Sequence, residues 1–253
     1  MHEGVNTLGV RVSPIAMDGA LRAIEDWVVD RTSTDVTVTP AHAIRDAYGD
    51  PELRRIFNAS GLTTPDGMAI VWLLRLQGHR HVERVYGPDL MVEVCRYGLE
   101  RGYRHFLFGG EEGVAQMLQN RLCDRFPGLS IVGTITPAFG AVSAEEDEAT
   151  VDKINAARPD LVWVGLGTPK QERWMAAHLG RVGAPVMIGV GAAFDVLSGR
   201  KPQAPRWMQG IGMEWFFRLA SEPRRLWPRY RQYPRFALLA LAQLTGLRRF
   251  PAD

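Results

Sequence analysis

Cysteine is scarce in this chain: two thiols, Cys95 and Cys123, among 253 residues. Both stand in apolar, helix-like stretches, and neither makes a metal-binding spacing with a histidine. Two such residues do not suggest a disulfide framework, so a reducing compartment is expected. Long apolar runs are also missing. The longest clean one, Phe236–Ala242, falls far short of the roughly 20 residues needed to cross a bilayer. The N-terminal Met1-His-Glu-Gly-Val has no basic segment leading into an apolar one, so no leader peptide is expected. Several catalytic signatures are absent: Asp-x-Asp, His-Glu-x-x-His, Cys-x-x-Cys and Gly-x-Ser-x-Gly. Zinc hydrolysis and serine-elbow esterase chemistry are poor readings for such a chain. The six histidines (2, 42, 79, 81, 105, 178) form no ligand spacing, and no metal site is expected. Neither the full dinucleotide fingerprint GxGxxG nor the Walker pattern occurs.

What is present is an ordinary globular composition, 46% hydrophobic and 23% charged, on a chain long enough for one large domain with an appendage. The formal net charge of +2 hides an asymmetry. Residues 200–253 hold eleven Lys/Arg against three acids, or +8, which leaves −6 for residues 1–199. The same tail carries Trp207, Trp215 and Trp227, three of the seven tryptophans. Basic and aromatic residues together suit a surface that meets anionic phosphates and a headgroup layer.

Short β-branched runs alternate with amphipathic helices, as in a parallel sheet with helices on its faces. Strands are expected at 8–12, 36–39, 62–64, 105–108, 130–135, 161–166 and 186–190. Asp50-Pro51-Glu52 opens a helix to about Ala59, Gly87-Pro88-Asp89 one to about Arg101, and Ser143-Ala-Glu-Glu146 reads as a capping box. Three strands run into glycine and then a helix, at Gly109-Gly110, Gly167 and Gly191. Such loops gather at the carboxyl ends of the strands, where doubly wound folds bind ligands. After Gly199 the rhythm becomes prolines between short helical stretches. The expectation is an α/β, Rossmann-like, three-layer domain over 1–199, and a short basic helical appendage over 200–253.

A Gly-Gly turn admits a diphosphate close to the backbone, and a following helix N-terminus points free N–H groups at it; alternatively the glycines only make tight turns. Asp66, in Thr63-Thr-Pro-Asp-Gly-Met68, could accept a proton as a general base or cap the helix at 69–76, and spacing alone favours the cap. In Gly165-Leu-Gly-Thr-Pro-Lys-Gln-Glu172, Lys170 and Gln171 could reach a phosphate or base, and Glu172 could cap or hold a ribose; the bland reading is a solvated face. Asp195 lies in an otherwise apolar segment and needs a partner, with an arginine of the tail as one choice.

Taken in order, these motifs resemble the WecG/TagA/CpsF glycosyltransferase family. The match is carried by Asp66-Gly-Met68 with Val71-Trp72, Arg84-Val-x-Gly87-x-Asp89-Leu90 and Phe106-Leu-Phe-Gly-Gly110. It continues through Gly165-x-Gly-x-Pro-Lys-Gln-Glu172, Gly189-Val-Gly-x-x-Phe-Asp195 and Gly212-x-Glu-Trp215, and covers about residues 8–230. The resemblance implies an inverting, metal-independent transferase without cofactor. It would use a UDP-sugar, carrying N-acetylmannosamine, its uronic acid or glucose, and a polyprenyl-diphosphate-linked saccharide acceptor in cell-surface polymer assembly. It also implies that Asp66 is the base, which reverses the preference for the cap, and that Arg218, Arg224 and Arg225 of the tail serve catalysis. Thr39, His42, Gly67, Arg84, Gly109, Gly110, Gly167, Pro169, Lys170, Gln171, Glu172, Gly191 and Asp195 are then the substrate-binding candidates. The tail would dock the enzyme on an anionic membrane surface, on the inner face of the cytoplasmic membrane. Self-association is a further implication, and no nucleic-acid partner is expected.

Two departures stand out. The family's Thr-x-Asn after the second strand reads Thr39-Pro-Ala-His42 here, so the asparagine is gone and His42 either substitutes or does not. A third basic residue of the tail series falls on Pro228, leaving Arg224 or Arg229 to supply it. Two rival readings follow from the residues alone: an NAD(P)-dependent oxidoreductase built on the glycine loops, and a non-catalytic nucleotide-sugar-binding protein.

Overall fold

The computed structural model describes residues 4–137, 140 and 142–252, with Arg229 described by its backbone alone. The expectations placed on Met1–Glu3 and on the Arg229 side chain lie outside it. In chain order the first elements are β1 (Val5–Thr7), β2 (Val10–Val12), α1 (Met17–Val29), β3 (Thr34–Thr39), α2 (Ala41–Gly49), α3 (Pro51–Ala59), β4 (Leu62–Pro65), α4 (Met68–Leu76) and α5 (Gly87–Leu99). Then come β5 (Arg104–Gly109), α6 (Val114–Arg125), β6 (Ser130–Ile135), α7 (Ala144–Ala156), β7 (Leu161–Gly165), α8 (Lys170–His178), β8 (Val186–Gly189) and α9 (Ala193–Leu197). The tail folds as α10 (Arg206–Gly210), α11 (Glu214–Ser221), α12 (Pro223–Tyr230) and α13 (Tyr233–Leu244).

Six strands form one sheet in the order β4-β3-β8-β7-β5-β6, and the pairs from β3 to β6 are parallel. With its flanking helices this is the three-layer α/β fold expected. The run at 8–12 is a different matter. The sequence pattern predicts one strand there, but Leu8 and Gly9 take positive φ (53° and 92°) and turn the chain back, so β1 and β2 pair antiparallel as a separate hairpin. Two consecutive left-handed residues match the right-handed twist of a two-residue hairpin. Asn6 Oδ1 fixes the turn by accepting from Gly9 N–H at 2.8 Å.

The chain forms two compact units. One joins Met1–Met17, Val38–Tyr86 and Pro202–Asp253; the other joins Asp18–Thr37 and Gly87–Lys201. The first has a core in which Leu8, Val10 and Val12 of the hairpin meet Ile44, Leu53, Phe57, Ile70, Leu74, Phe236, Ala240 and Phe250. The tail therefore contributes α13 and Phe250 to the same buried cluster as the N-terminal hairpin. Polar contacts reinforce this closure: Asn6 Nδ2 donates to the Phe250 carbonyl, and Gln243 both accepts from Leu8 N–H and donates to Asn6 O. The second unit packs Phe106, Phe108, Val162, Val164 and Met187 of its strands against Val151, Ile154 and Met175 of α7 and α8.

Candidate active site

In the first unit, the end of β4 presents Asp66. Its N–H donates to the Thr39 carbonyl at 3.2 Å, which ties the residue to the last position of β3. The N-cap position of the helix that follows is held by Gly67, not by Asp66. A side chain at Gly67 would meet nothing within 4 Å. Arg84, in the segment between α4 and α5, clasps this turn. Its Nε donates to the Asp66 carbonyl at 2.5 Å, and Nη1 donates to Gln209 Oε1 of α10 at 3.4 Å. Nη2 forms an ion pair with Glu214 Oε2 of α11 and stands 3.8 Å from Asp66 Oδ1. The guanidinium lies over the ring of Tyr86, 4.0 Å from its centre.

The electrostatics follow from this crowding. Burial works against the charge of Arg84, but Asp66 and Glu214 outweigh it and the proton is held more tightly than in an ordinary arginine. Burial, then the charges of Glu214 and Asp66, push the Tyr86 phenol upward. Arg218, one helical turn beyond Glu214, is partly buried. Tyr230, Tyr86, Glu214 and Asp66 together overcome its desolvation and raise its pKa. Two carboxylates, two guanidiniums and the Tyr86 phenol thus share one cluster. Such a set can take a proton from a hydroxyl and balance a developing anion.

Arg218 joins this cluster, whereas Arg224 and Arg225 are exposed on the first turn of α12, and Arg225 pairs with Glu222. Thr39 is buried at the end of β3, and His42 is half-buried on the first turn of α2. Tyr86, Gln209 and Glu214 were not among the expected site residues. Glu214 had a signal, since it stands inside Gly212-x-Glu-Trp215; Tyr86 and Gln209 had none.

The second unit carries the glycine loops, and they leave three adjacent strands, β8, β7 and β5. Gly109 is opposite Gly165, and a Cβ at Gly109 would come within 2.6 Å of the Gly165 carbonyl carbon. Gly110, at φ 77°, donates its N–H to the Gly165 carbonyl. The backbones of the two loops therefore touch directly, and only glycine fits. Past β7, the amide of Gln171 is pinned: its Oε1 accepts from Gly167 N–H at 3.2 Å and its Nε2 donates to Glu172 Oε1 at 3.0 Å. Thr168 Oγ1 donates to the same Glu172 oxygen at 2.8 Å. Glu172 is fully buried, so it braces the loop from inside; burial, more than its hydrogen bonds offset, raises its pKa. Pro169 precedes α8, and Lys170 is exposed at its first residue. Gly191 takes φ 48° beside Gln171 Oε1. Asp195 pairs with Lys201 Nζ at 2.7 Å and stands 4.0 Å from Arg200, which also pairs with Glu111.

The two units thus hold two groups of candidates: Thr39, His42, Asp66, Gly67, Arg84 and Arg218 in the first, and the loop residues in the second. Among the described residues no cluster of three His, Cys, Asp or Glu side chains could hold a metal ion.

The sequence profile described as the glycosyl transferase WecG/TagA/CpsF family matches residues 5–250. The chain belongs to this family. Among its curated relatives, an N-acetylglucosaminyldiphosphoundecaprenol N-acetyl-beta-D-mannosaminyltransferase of Bacillus subtilis (strain 168) is 30% identical over 82% of this chain and 78% of its own length. A protein of the same name from Staphylococcus aureus (strain MW2) is 26% identical over 88% of this chain and 86% of its own. The chain is accordingly a glycosyltransferase, and the oxidoreductase reading is set aside. No helix among the described residues is long and apolar enough to cross a membrane.

Proposed function

We propose that this glycosyltransferase moves a sugar of the N-acetylmannosamine, N-acetylmannosaminuronic acid or glucose type from UDP onto a polyprenyl-diphosphate-linked saccharide. Transfer proceeds with inversion, without a metal, in the assembly of a cell-surface polymer. The observation that carries this reading is Asp66, fixed by its own backbone to Thr39 and Arg84, with its carboxylate 3.8 Å from the Arg84 guanidinium and Gly67 in its place at the N-cap of α4. The relatives' names give the acceptor class: a saccharide on undecaprenyl diphosphate.

In this mechanism the Asp66 carboxylate takes the proton of the acceptor hydroxyl as its oxygen forms a bond to the anomeric carbon. The bond from that carbon to the UDP oxygen breaks on the opposite face, and the electron pair leaves with UDP. The transition state has oxocarbenium character. Arg218 supplies positive charge to the departing diphosphate. The tail carries the enzyme to the inner face of the cytoplasmic membrane, where the lipid-linked acceptor resides.

The test is release of UDP from a panel of UDP-sugars, with and without a short-chain lipid-diphosphate-linked GlcNAc acceptor, in the presence of EDTA. Acceptor-dependent release from one donor that survives EDTA is the expected result. Release abolished by EDTA would remove metal independence, and UDP binding without turnover on any donor would favour a binding protein.

A further inference from the structure

One nitrogen of Arg84 faces two carboxylates. Nη2 makes its ion pair with Glu214 Oε2 and stands 3.8 Å from Asp66 Oδ1. The side chains of Arg84, Asp66 and Glu214 are only 15%, 18% and 12% exposed, so solvent and salt screen them weakly. A carboxylate in close contact with a guanidinium typically loses about 1–3 pKa units of basicity. An aspartate that has to take a proton is therefore weakened by an intimate pair with arginine. Here the closer of the two pairs belongs to Glu214, and Arg84 also holds Asp66 by its carbonyl oxygen.

We propose that Glu214 is a positioning residue for transfer: it takes up the charge of Arg84, so that the guanidinium fixes the Asp66 backbone without stripping the carboxylate of its basicity. The inference rests on Asp66 as the general base. Tyr86, from the same segment as Arg84, and Arg218, from α11, also face Asp66. Tyr230 of α12 faces Arg218 in turn. Glu214 and Arg218 stand one turn apart on α11, so this helix delivers both a cation towards Asp66 and the carboxylate that balances Arg84. Its approach depends on Gly212, at φ 75°, where a Cβ would come within 2.8 Å of Trp72 and 3.2 Å of Met68 on α4. The helix that begins beside Asp66 and the helix that bears Glu214 are thereby held in contact.

The pH profile of kcat/KM tests this on the full chain, with the donor that the UDP-sugar panel selects. Glu214→Gln leaves Arg84 and Arg218 to act on Asp66 alone. It is expected to move the acid limb down by about one pH unit and to lower the plateau several-fold, because a weaker base transfers the proton less readily. Gln209→Glu adds a carboxylate where Gln209 now accepts from Arg84, and is expected to move the same limb up. The opposite signs let either variant decide alone if the other does not fold. An acid limb that stays in place while activity falls would overturn the proposal and leave Glu214 as a fixture of α11. Asp66→Asn separates the two claims: it must remove both limb and activity, and if both survive, it is the role of Asp66 as base that fails.

Discussion

His105 lies fully buried between strands, its ring stacked on Trp163 and its Nδ1 accepting from Trp163 Nε1 at 3.1 Å. Burial lowers its pKa to about 4. The unfolded chain regains ordinary affinity near pH 6.5 and binds the extra proton between those values, so stability is full above that range and is lost as pH falls towards 4. His105→Asn keeps an acceptor for Trp163 and removes the titration. The stability difference between wild type and variant should shrink by roughly 3 kcal/mol from about pH 6.5 to about pH 4, read from denaturant melts; a constant difference would contradict it. Glu172 runs in the opposite sense. Its pKa is raised, so its contribution is full below the ordinary carboxylate range and is lost as pH rises through the raised value. The stability of wild type relative to Glu172→Gln should therefore fall as pH rises above the ordinary carboxylate range, read from melts across pH; a difference independent of pH would contradict it. Single residues were legible where a motif held them: Asp66, Arg84 and the glycine loops could all be picked out. Tyr86 and Gln209 could not: Tyr86 matters through the burial of its ring under Arg84 and beside Glu214, and Gln209 through a hydrogen bond to Arg84 from a distant stretch of chain.

At the scale of elements, local chemistry predicted helix starts well. Asp50 caps α3 by accepting from Leu53 N–H, and Ser143 and Glu146 make the full reciprocal box on α7. Ser143→Ala should cost about 1 kcal/mol. Residues 8–12 look like a single strand in the sequence because three-residue strands leave too little alternation to show a turn at Leu8-Gly9. The tail helix α13 was legible as apolar, but nothing in its composition says that Phe236 would join the core around Leu8 and Phe57. Phe236→Ala should therefore cost about 3–5 kcal/mol in a chemical melt, whereas Leu238→Ala, on the exposed face of the same helix, should change little.

At the scale of the molecule, the charge split read from composition coincides with a set of uncovered apolar side chains. Trp207, Ile211, Phe216, Trp227, Leu241 and Leu247 are all exposed and all lie in residues 202–253. Arginines beside exposed tryptophans fit the proposed docking on anionic lipid. Replacing Trp207 and Trp227 with alanine, both outside the core, should reduce recovery with anionic vesicles in flotation, and added salt should weaken what remains. Equal recovery of wild type and variant would contradict docking through these residues. Removing the whole tail is a poorer experiment, because α13 and Phe250 belong to the hydrophobic core of the first unit.

The central claim is that Asp66 takes the acceptor's proton, and single-turnover transfer by Asp66→Ala tests it most directly. With donor and lipid-linked acceptor both saturating, the variant should bind UDP as wild type does yet transfer sugar at least about 100-fold more slowly, the scale of a lost general base. Transfer at the wild-type rate would contradict the account and assign Asp66 to the architecture of the β4–α4 turn alone.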